Sequence, residues 1–141
     1  MATISLRIEP PPTHQAALRI LKTRDGRSFI GKMAKSSAKK WSVAFTTMLK
    51  EAKHKYSIKT HEGPTTVGIV FVYPHTKATA KLGHSVVKVT RPDVDNLAKS
   101  VLDCMTDAGW LKDDNLIVEL ILRKIHGETP QVVIDINDYV E

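Results

Sequence analysis

One strand-like stretch, residues 67–73, constrains the fold more than any other part of the sequence. Every second residue from Val67 to Tyr73 is apolar, and the intervening Val70 and Val72 make the other face apolar as well. A strand that is apolar on both faces lies inside a sheet that other elements cover. The sequence therefore predicts a central strand with helices packed against its sheet.

Further strands and helices are predicted on both sides of this strand. Alternating apolar residues indicate strands, apolar residues at three- and four-residue steps indicate helices, and Asp25-Gly26 is typical of a hairpin turn. We expect a single-domain α+β (mixed α/β) fold over residues 1–141, with a mixed sheet of about four or five strands and two main helices. The other expected strands cover residues 3–8, 16–23, 27–32, 116–125 and 131–136, and the expected helices cover residues 41–56, with Ser36 or Ser37 as N-cap, and 96–107.

The composition excludes several classes of protein. Apolar residues make up 42% and charged residues 26% of the chain, an ordinary globular balance that argues against disorder. No apolar run approaches the ~20 residues of a membrane helix, and the first residues lack the apolar block of a signal peptide. A single cysteine, Cys104, excludes an internal disulfide framework and is expected to be a packing residue. We therefore expect a cytoplasmic protein with no membrane partner.

Charge is unevenly divided along the chain. Residues 1–91 contain 17 Lys and Arg against 4 Asp and Glu, whereas residues 92–141 contain 4 against 11. A basic portion predicts a polyanionic partner, although the two portions could instead pair with each other. Residues 75–90 are interpreted as a mobile basic loop with a short strand near residues 86–89. The residues expected to guide such a polyanion to the acidic portion are Lys77, Lys81, Lys88 and Arg91.

Two aspartates, Asp93 and Asp95, carry the strongest chemical signal. If both residues are extended, their side chains project to the same side and repel each other, and a divalent cation would remove that repulsion. Asp95 or Asn96 could instead cap the following helix, which explains one acidic residue but not two. Lys99 lies one helical turn after Asp95, where it could hold a phosphate or simply form an exposed charge ladder with Asp95 and Asp103.

A second acidic pair, Asp113 and Asp114, precedes the strand predicted at residues 116–125. A helix followed by a returning strand brings one of the two back toward Asp93 and Asp95, although aspartates are also common in solvated turns. Competing motifs are weak. Residues 93–98 lack the ligand and the glycine of a calcium-binding loop, and residues 26–33 end on Met33 where a phosphate-binding loop requires Ser or Thr.

The run RPDVDNLAKSVLDCMTDAGWLKDDNLIVELILRK, residues 91–124, resembles the RusA family of Holliday junction resolvases, which shows a D-x-DN-x-x-K…D…DD signature before an apolar strand. The resemblance implies that Asp93, Asp95 and Asp114 bind Mg²⁺ or Mn²⁺ and that Lys99 is the active-site lysine. It implies a small homodimer, often encoded by phages and prophages, that resolves four-way DNA junctions by paired nicks during recombination and repair. Such a protein would act in the cytoplasm of a bacterial or phage-infected cell, at the nucleoid.

Residues 13–18 depart from the Ser/Asn-rich turn and aromatic residues usual in that family, which bears on junction selectivity more than on hydrolysis. Three alternatives to a junction resolvase remain open from the sequence. The chain could be a non-catalytic module for branched DNA, a nuclease that prefers flaps, forks or RNA, or a structural protein whose acids only pair with its lysines.

Overall fold

The computed structural model describes residues 2–12, 17–22, 28–33 and 35–141. A five-stranded mixed sheet has the strand order β1-β7-β4-β6-β5, and β2 and β3 form a separate two-stranded sheet. The strands are β1 (Ala2–Leu6), β2 (Ala17–Lys22), β3 (Ser28–Met33), β4 (Thr65–Pro74), β5 (Val86–Val87), β6 (Ile117–Gly127) and β7 (Gln131–Asp138). The helices are α1 (Lys35–Lys55), α2 (Lys77–Ala80) and α3 (Val94–Asp107), and a 3-10 turn covers Asp114–Leu116. The predicted α+β fold is confirmed.

The central position predicted for residues 67–73 is also confirmed. β4 pairs in parallel with β6 and antiparallel with β7, so both of its edges are bonded. The alternate residues Val67, Ile69 and Phe71 are almost completely buried. They face a core to which α1 contributes Phe45 and Leu49. On the opposite face Val72 is buried and Val70 is half-buried, so the apolar residues on that side are covered only in part.

The two main helices pack against each other through a buried tryptophan. Trp110, just beyond α3, is fully buried, and its indole Nε1 donates to the carbonyl oxygen of Leu49 on α1 at 2.9 Å. Cys104 on α3 is 2% exposed, and burial raises the pKa of its thiol. Both observations support the packing role predicted for Cys104, because a nucleophilic thiol needs a lowered pKa.

Several predicted boundaries differ from the structure. The hairpin of β2 and β3 is present, whereas its predicted turn at Asp25-Gly26 and residues 13–16 lie outside the described residues. The prediction of Ser36 or Ser37 as N-cap is wrong, because α1 already begins at Lys35. Residues 75–90 are not one continuous loop, since a capping box between Thr76 and Thr79 starts the short helix α2. The short strand predicted near residues 86–89 is present as β5. Within the described ranges, no helix is long and apolar enough to cross a membrane.

Candidate active site

The start of α3 presents two exposed aspartates that do not serve as caps. Asp93 occupies the N-cap position with an extended backbone, φ −74° and ψ 141°, and its side chain makes no capping hydrogen bond. Asp95 lies in the first helical turn. The condition that both residues are extended is met by Asp93 but not by Asp95, and the alternative that Asp95 or Asn96 occupies the cap position is wrong. The capping explanation fails for both carboxylates, which are exposed to solvent.

Lys124 on β6 holds the backbone that leads into Asp93. Its Nζ donates to the carbonyl oxygens of Thr90 and Pro92, each at 2.7 Å. The Lys124 carbonyl in turn accepts a hydrogen bond from the backbone N–H of Lys88 at 3.0 Å. Hydrogen bonds from a charged donor are stronger than neutral ones, so this ammonium fixes the segment that positions Asp93. The Arg91–Pro92 peptide bond in this segment is cis.

Sequence reasoning missed Lys124, although a signal was present. The residue is the second of two consecutive basic residues in an otherwise apolar strand pattern. The register aligns Lys124 with Phe71 of β4, which is fully buried, so Lys124 lies on the face of the sheet that the helices cover. A lysine on such a face needs acceptors for its ammonium, and the carbonyls of Thr90 and Pro92 supply them.

One face of α3 carries alternating charge along two helical turns. Asp95, Lys99 and Asp103 are spaced four residues apart, and all three are exposed, whereas Leu97, Val101 and Met105 form the buried face. Within the described residues, Lys99 forms no ion pair with either aspartate. The expected charge ladder is therefore not closed. The Lys99 ammonium remains available to a ligand on this face.

The second acidic pair lies at the 3-10 turn that precedes β6. Asp113 caps this turn by accepting from the backbone N–H of Asn115 at 3.0 Å, and this bond is the main reason that its pKa is lowered. The pKa of Asp114 is raised, first by a hydrogen bond shared with the Asp113 carboxyl and also by the negative charges of Asp113 and Asp103. Both residues are exposed to solvent. The solvated-turn interpretation fits the exposure of both residues.

The predicted metal ligands are not gathered into one group. Aspartate oxygens suit Mg²⁺, which prefers hard oxygen ligands. However, the described residues contain no group of three or more His, Cys, Asp or Glu side chains that could hold a metal ion. The neighbours that raise the pKa of Asp114 include Asp103, which lies about 12 Å along α3 from Asp95. In a single chain, Asp93 and Asp95 therefore belong to one end of α3 and Asp114 to the other.

The four predicted DNA-contacting residues differ in their surroundings. Lys77, Lys81 and Arg91 are exposed. Lys88 is half-buried, its Nζ donates to the Thr90 hydroxyl at 2.7 Å, and the same ammonium lies 4.8 Å from the centre of the Tyr73 ring. Lys88 thus helps to order the segment before Asp93, while Lys77, Lys81 and Arg91 carry positive charge at exposed positions.

Comparisons with known proteins identify the family of the chain. A family model, endodeoxyribonuclease RusA, matches residues 8–137 of the chain. The chain therefore belongs to the RusA family, and the resemblance inferred from residues 91–124 is confirmed. Over 51 residues it is 39% identical to the crossover junction endodeoxyribonuclease rusA of Lactococcus phage r1t. That match covers 36% of this chain and 39% of the relative, so it spans about two fifths of the relative's length.

Proposed function

We propose that the chain is an Mg²⁺-dependent endodeoxyribonuclease that resolves four-way DNA junctions by paired symmetric nicks. Membership of the RusA family supports the reaction class, and the name of the phage relative supports a crossover junction as substrate. The observation that carries the proposal is the exposed start of α3. There Asp93 and Asp95 are not used as caps and follow a backbone segment that Lys124 holds in place.

The proposed cofactor is Mg²⁺, for which Mn²⁺ could substitute, and the proposed ligands are Asp93, Asp95 and Asp114. When bound, a divalent cation neutralises the phosphate and lowers the pKa of a coordinated water. Mg²⁺ is commonly held by one or two carboxylates together with substrate phosphates. Because one chain keeps Asp114 apart from Asp93 and Asp95, the three carboxylates could hold one cation only if Asp114 came from the second copy in a homodimer. We therefore expect weak Mg²⁺ binding to the isolated chain.

The proposed roles of the basic residues follow from their positions. Lys99 has an exposed ammonium with no ion-pair partner among the described residues, so it can donate to the scissile phosphate and stabilise its developing charge. Lys77, Lys81 and Arg91 would contact DNA backbones beside this site, with Lys88 ordering the connecting segment. Such phosphate contacts release counterions, so we expect junction affinity to fall steeply as salt increases.

A homodimer is part of the proposal. A four-way junction has approximate two-fold symmetry, and a dimer with two-fold symmetry would present one site to each of the two strands that must be cut. Two symmetric nicks would then come from two equivalent subunits bound to one junction.

The test is cleavage of a synthetic mobile four-way junction by wild type and by Asp95→Asn, in Mg²⁺ and in EDTA, with linear duplex of the same sequence as substrate control. Asp107→Asn is the matched control variant, because Asp107 is an exposed aspartate in the last turn of the same helix. We expect paired nicks in the junction by wild type and by Asp107→Asn, only with metal. Junction binding without cleavage by wild type, in Mn²⁺ as well, would reject the catalytic proposal in favour of a binding module.

A further inference from the structure

The outer edge of β6 has no strand partner along most of its length. One side of β6 pairs with β4 over the whole strand, whereas β5 pairs on the other side only at Ile125 and His126, with one further bond from the Lys88 N–H to Lys124. Among the described residues, the backbone of residues 117–123 therefore presents free N–H and C=O groups over about 23 Å. Such an edge is a template for pairing with another strand.

The exposed edge is also unusually apolar. Val118 is 56% exposed, Leu120 is 39% exposed and Ile121 is 58% exposed, although β6 adjoins the central strand of the sheet. A long apolar edge exposed to water is an interaction site or an aggregation hazard. The composition of this edge thus favours a permanent partner over solvent.

The register between β4 and β6 shows which side chains share a face. Leu120 and Leu122 align with Val67 and Ile69, whose side chains face the core. Because side chains alternate along a strand, the intervening Glu119, Ile121 and Arg123 lie together on the opposite face. One acid and one base thus flank an exposed isoleucine at equal distances along the strand.

This sequence is complementary to itself in an antiparallel arrangement. If two β6 strands pair about a two-fold axis at Ile121, Glu119 of one copy lies opposite the partner's Arg123, and the reverse contact forms across the axis. Leu120 then lies opposite the partner's Leu122 on the other face, and the two Ile121 side chains meet. Directly opposite residues in an antiparallel pair lie on the same face of the sheet, which both contacts satisfy. Within one chain, Glu119 and Arg123 are about 13 Å apart and cannot pair.

We propose that β6 pairs with β6 of a second copy of this chain, antiparallel and centred on Ile121, so that one sheet continues across both subunits. This interface rests on the homodimer within the proposed function and specifies where and in which register the two copies meet. Two Glu119–Arg123 ion pairs select this register over a shift of one residue, which would place Glu119 opposite the partner's Leu122.

The first test reverses these charges and measures the molar mass by light scattering and sedimentation. Wild type is expected to be a dimer, and Glu119→Arg and Arg123→Glu are each expected to weaken the dimer at least about tenfold, because each places two like-charge pairs in the interface. The double variant Glu119→Arg/Arg123→Glu restores the opposite charges and should recover the dimer. Glu128→Arg is the control, since Glu128 is exposed just beyond β6 and is expected to leave the mass unchanged.

The second test does not depend on charge. Ile121→Cys places two thiols at the two-fold axis, within the Cα separation that a disulfide bridges. The native Cys104 is buried, so a disulfide between copies under mild oxidation reports on position 121. Val140→Cys, at an 84% exposed position, is the control for random collisions and should form far less cross-linked dimer.

Four outcomes would each overturn the β6 interface. In the mass measurements these are a monomeric wild type, single charge reversals that leave the dimer intact, and a double variant that does not recover the dimer. In the cross-linking experiment it is equal cross-linking at positions 121 and 140. Pairing of β6 with the β2–β3 hairpin of the same chain would give a folded monomer. Junction cleavage is measured in parallel. A cleaving wild type whose dimer ignores the reversals would reject this interface only, whereas a dimer that responds as expected but never cleaves would reject the nuclease function only.

Discussion

The two ends of α3 carry the same chemical group in different surroundings. At the start of the helix, Asp93 and Asp95 follow a backbone segment whose carbonyls accept two hydrogen bonds from the Lys124 ammonium. At the end, Asp114 lies beside two further aspartates that help to raise its pKa. Aspartate is thus positioned by a cation at one end of the helix and crowded by like charge at the other.

Because their surroundings differ, the aspartates at the two ends of α3 are expected to play different roles. Hydrogen bonds to Thr90 and Pro92 fix the position of a backbone, which suits a group that must meet a phosphate in one geometry. Crowded carboxylates resist ionisation, and an added cation relieves that cost. We therefore expect substitutions at the start to act on the rate of cleavage and substitutions at the end to act first on proton and cation binding.

The largest expected effect contrasts Asp93→Asn with Asp103→Asn. Asp93→Asn should lower the rate of junction cleavage at least about 100-fold, because groups that only support metal ligands already contribute 10–100-fold. Asp103→Asn should retain most of the activity, since Asp103 lies at the other end of α3. Single-turnover cleavage at saturating protein measures both, with circular dichroism as the check on folding. Equal losses in the two variants would contradict the division between the ends.

The next effect concerns the hydrogen bonds made by Lys124. Lys124→Met keeps the length of the side chain but removes both bonds to the segment before Asp93, and we expect a loss of roughly 10–100-fold in cleavage, the size that a displacement of about 1 Å can cause. Junction affinity should change far less, because only one charge is lost. Lys112→Met is the control, since Lys112 is an exposed lysine just beyond α3. A fall in affinity that matches the fall in rate would show that Lys124 binds DNA and does not position Asp93.

The fold was more predictable from the sequence than the site was. Residues 67–73 predicted the central strand because this stretch carries apolar residues on both faces, and β4 lies third of five strands. The bonds from Lys124 to Thr90 and Pro92 span more than thirty residues, so no local pattern announces them. The cap position of Asp93 was missed because the sequence offered Asp95 and Asn96 as equally good caps.

The proximity of Asp103 to Asp114 could also not be predicted from a local sequence pattern. It depends on the path of the chain after α3, where Gly109 adopts a positive φ of 81° and Leu111 forms a β-bridge with His61. His61 lies far from α3 in sequence, so the spacing of the acidic residues alone could not fix their arrangement. The sequence signature thus proposed the acidic groups, and the tertiary contacts place them at the two ends of the helix.

A moderate effect is expected on the pKa of Asp114. Asp113→Ala removes the shared hydrogen bond, the largest cause of the raised value, and should lower the pKa of Asp114 more than Asp103→Asn, which removes only a charge. Carboxyl resonances followed by NMR through an acid titration measure both shifts. Added Mg²⁺ should lower the pKa of Asp114 in the wild type, because the cation stabilises the ionised form. If neither substitution changes the pKa of Asp114, the neighbouring aspartates do not raise it, and this explanation is rejected.

The smallest effect uses an aspartate at the far end of β7 as a reference for both ends of α3. Asp138 accepts from Lys59 Nζ at 2.6 Å and lies 2.9 Å from His61 Nδ1, and its pKa is lowered, chiefly by the Lys59 hydrogen bond. A carboxyl whose pKa is lower in the folded than in the unfolded state stabilises the fold above its ordinary pKa, and this contribution disappears as the pH falls through the folded value.

Asp138→Asn should therefore lower Tm at pH 7 by roughly 1–3 °C, as expected for an exposed pair, and this difference should shrink below pH 3.8. Lys59→Met should reproduce most of the effect, because it removes the main partner. Asp114→Asn should behave in the opposite sense, since a raised pKa costs stability at neutral pH and the cost vanishes as the group is protonated. Thermal unfolding at pH 7 and pH 3 measures all three variants. If Asp138→Asn and Asp114→Asn change Tm at pH 7 in the same direction, the charge of the neighbouring groups does not determine what each aspartate contributes to stability.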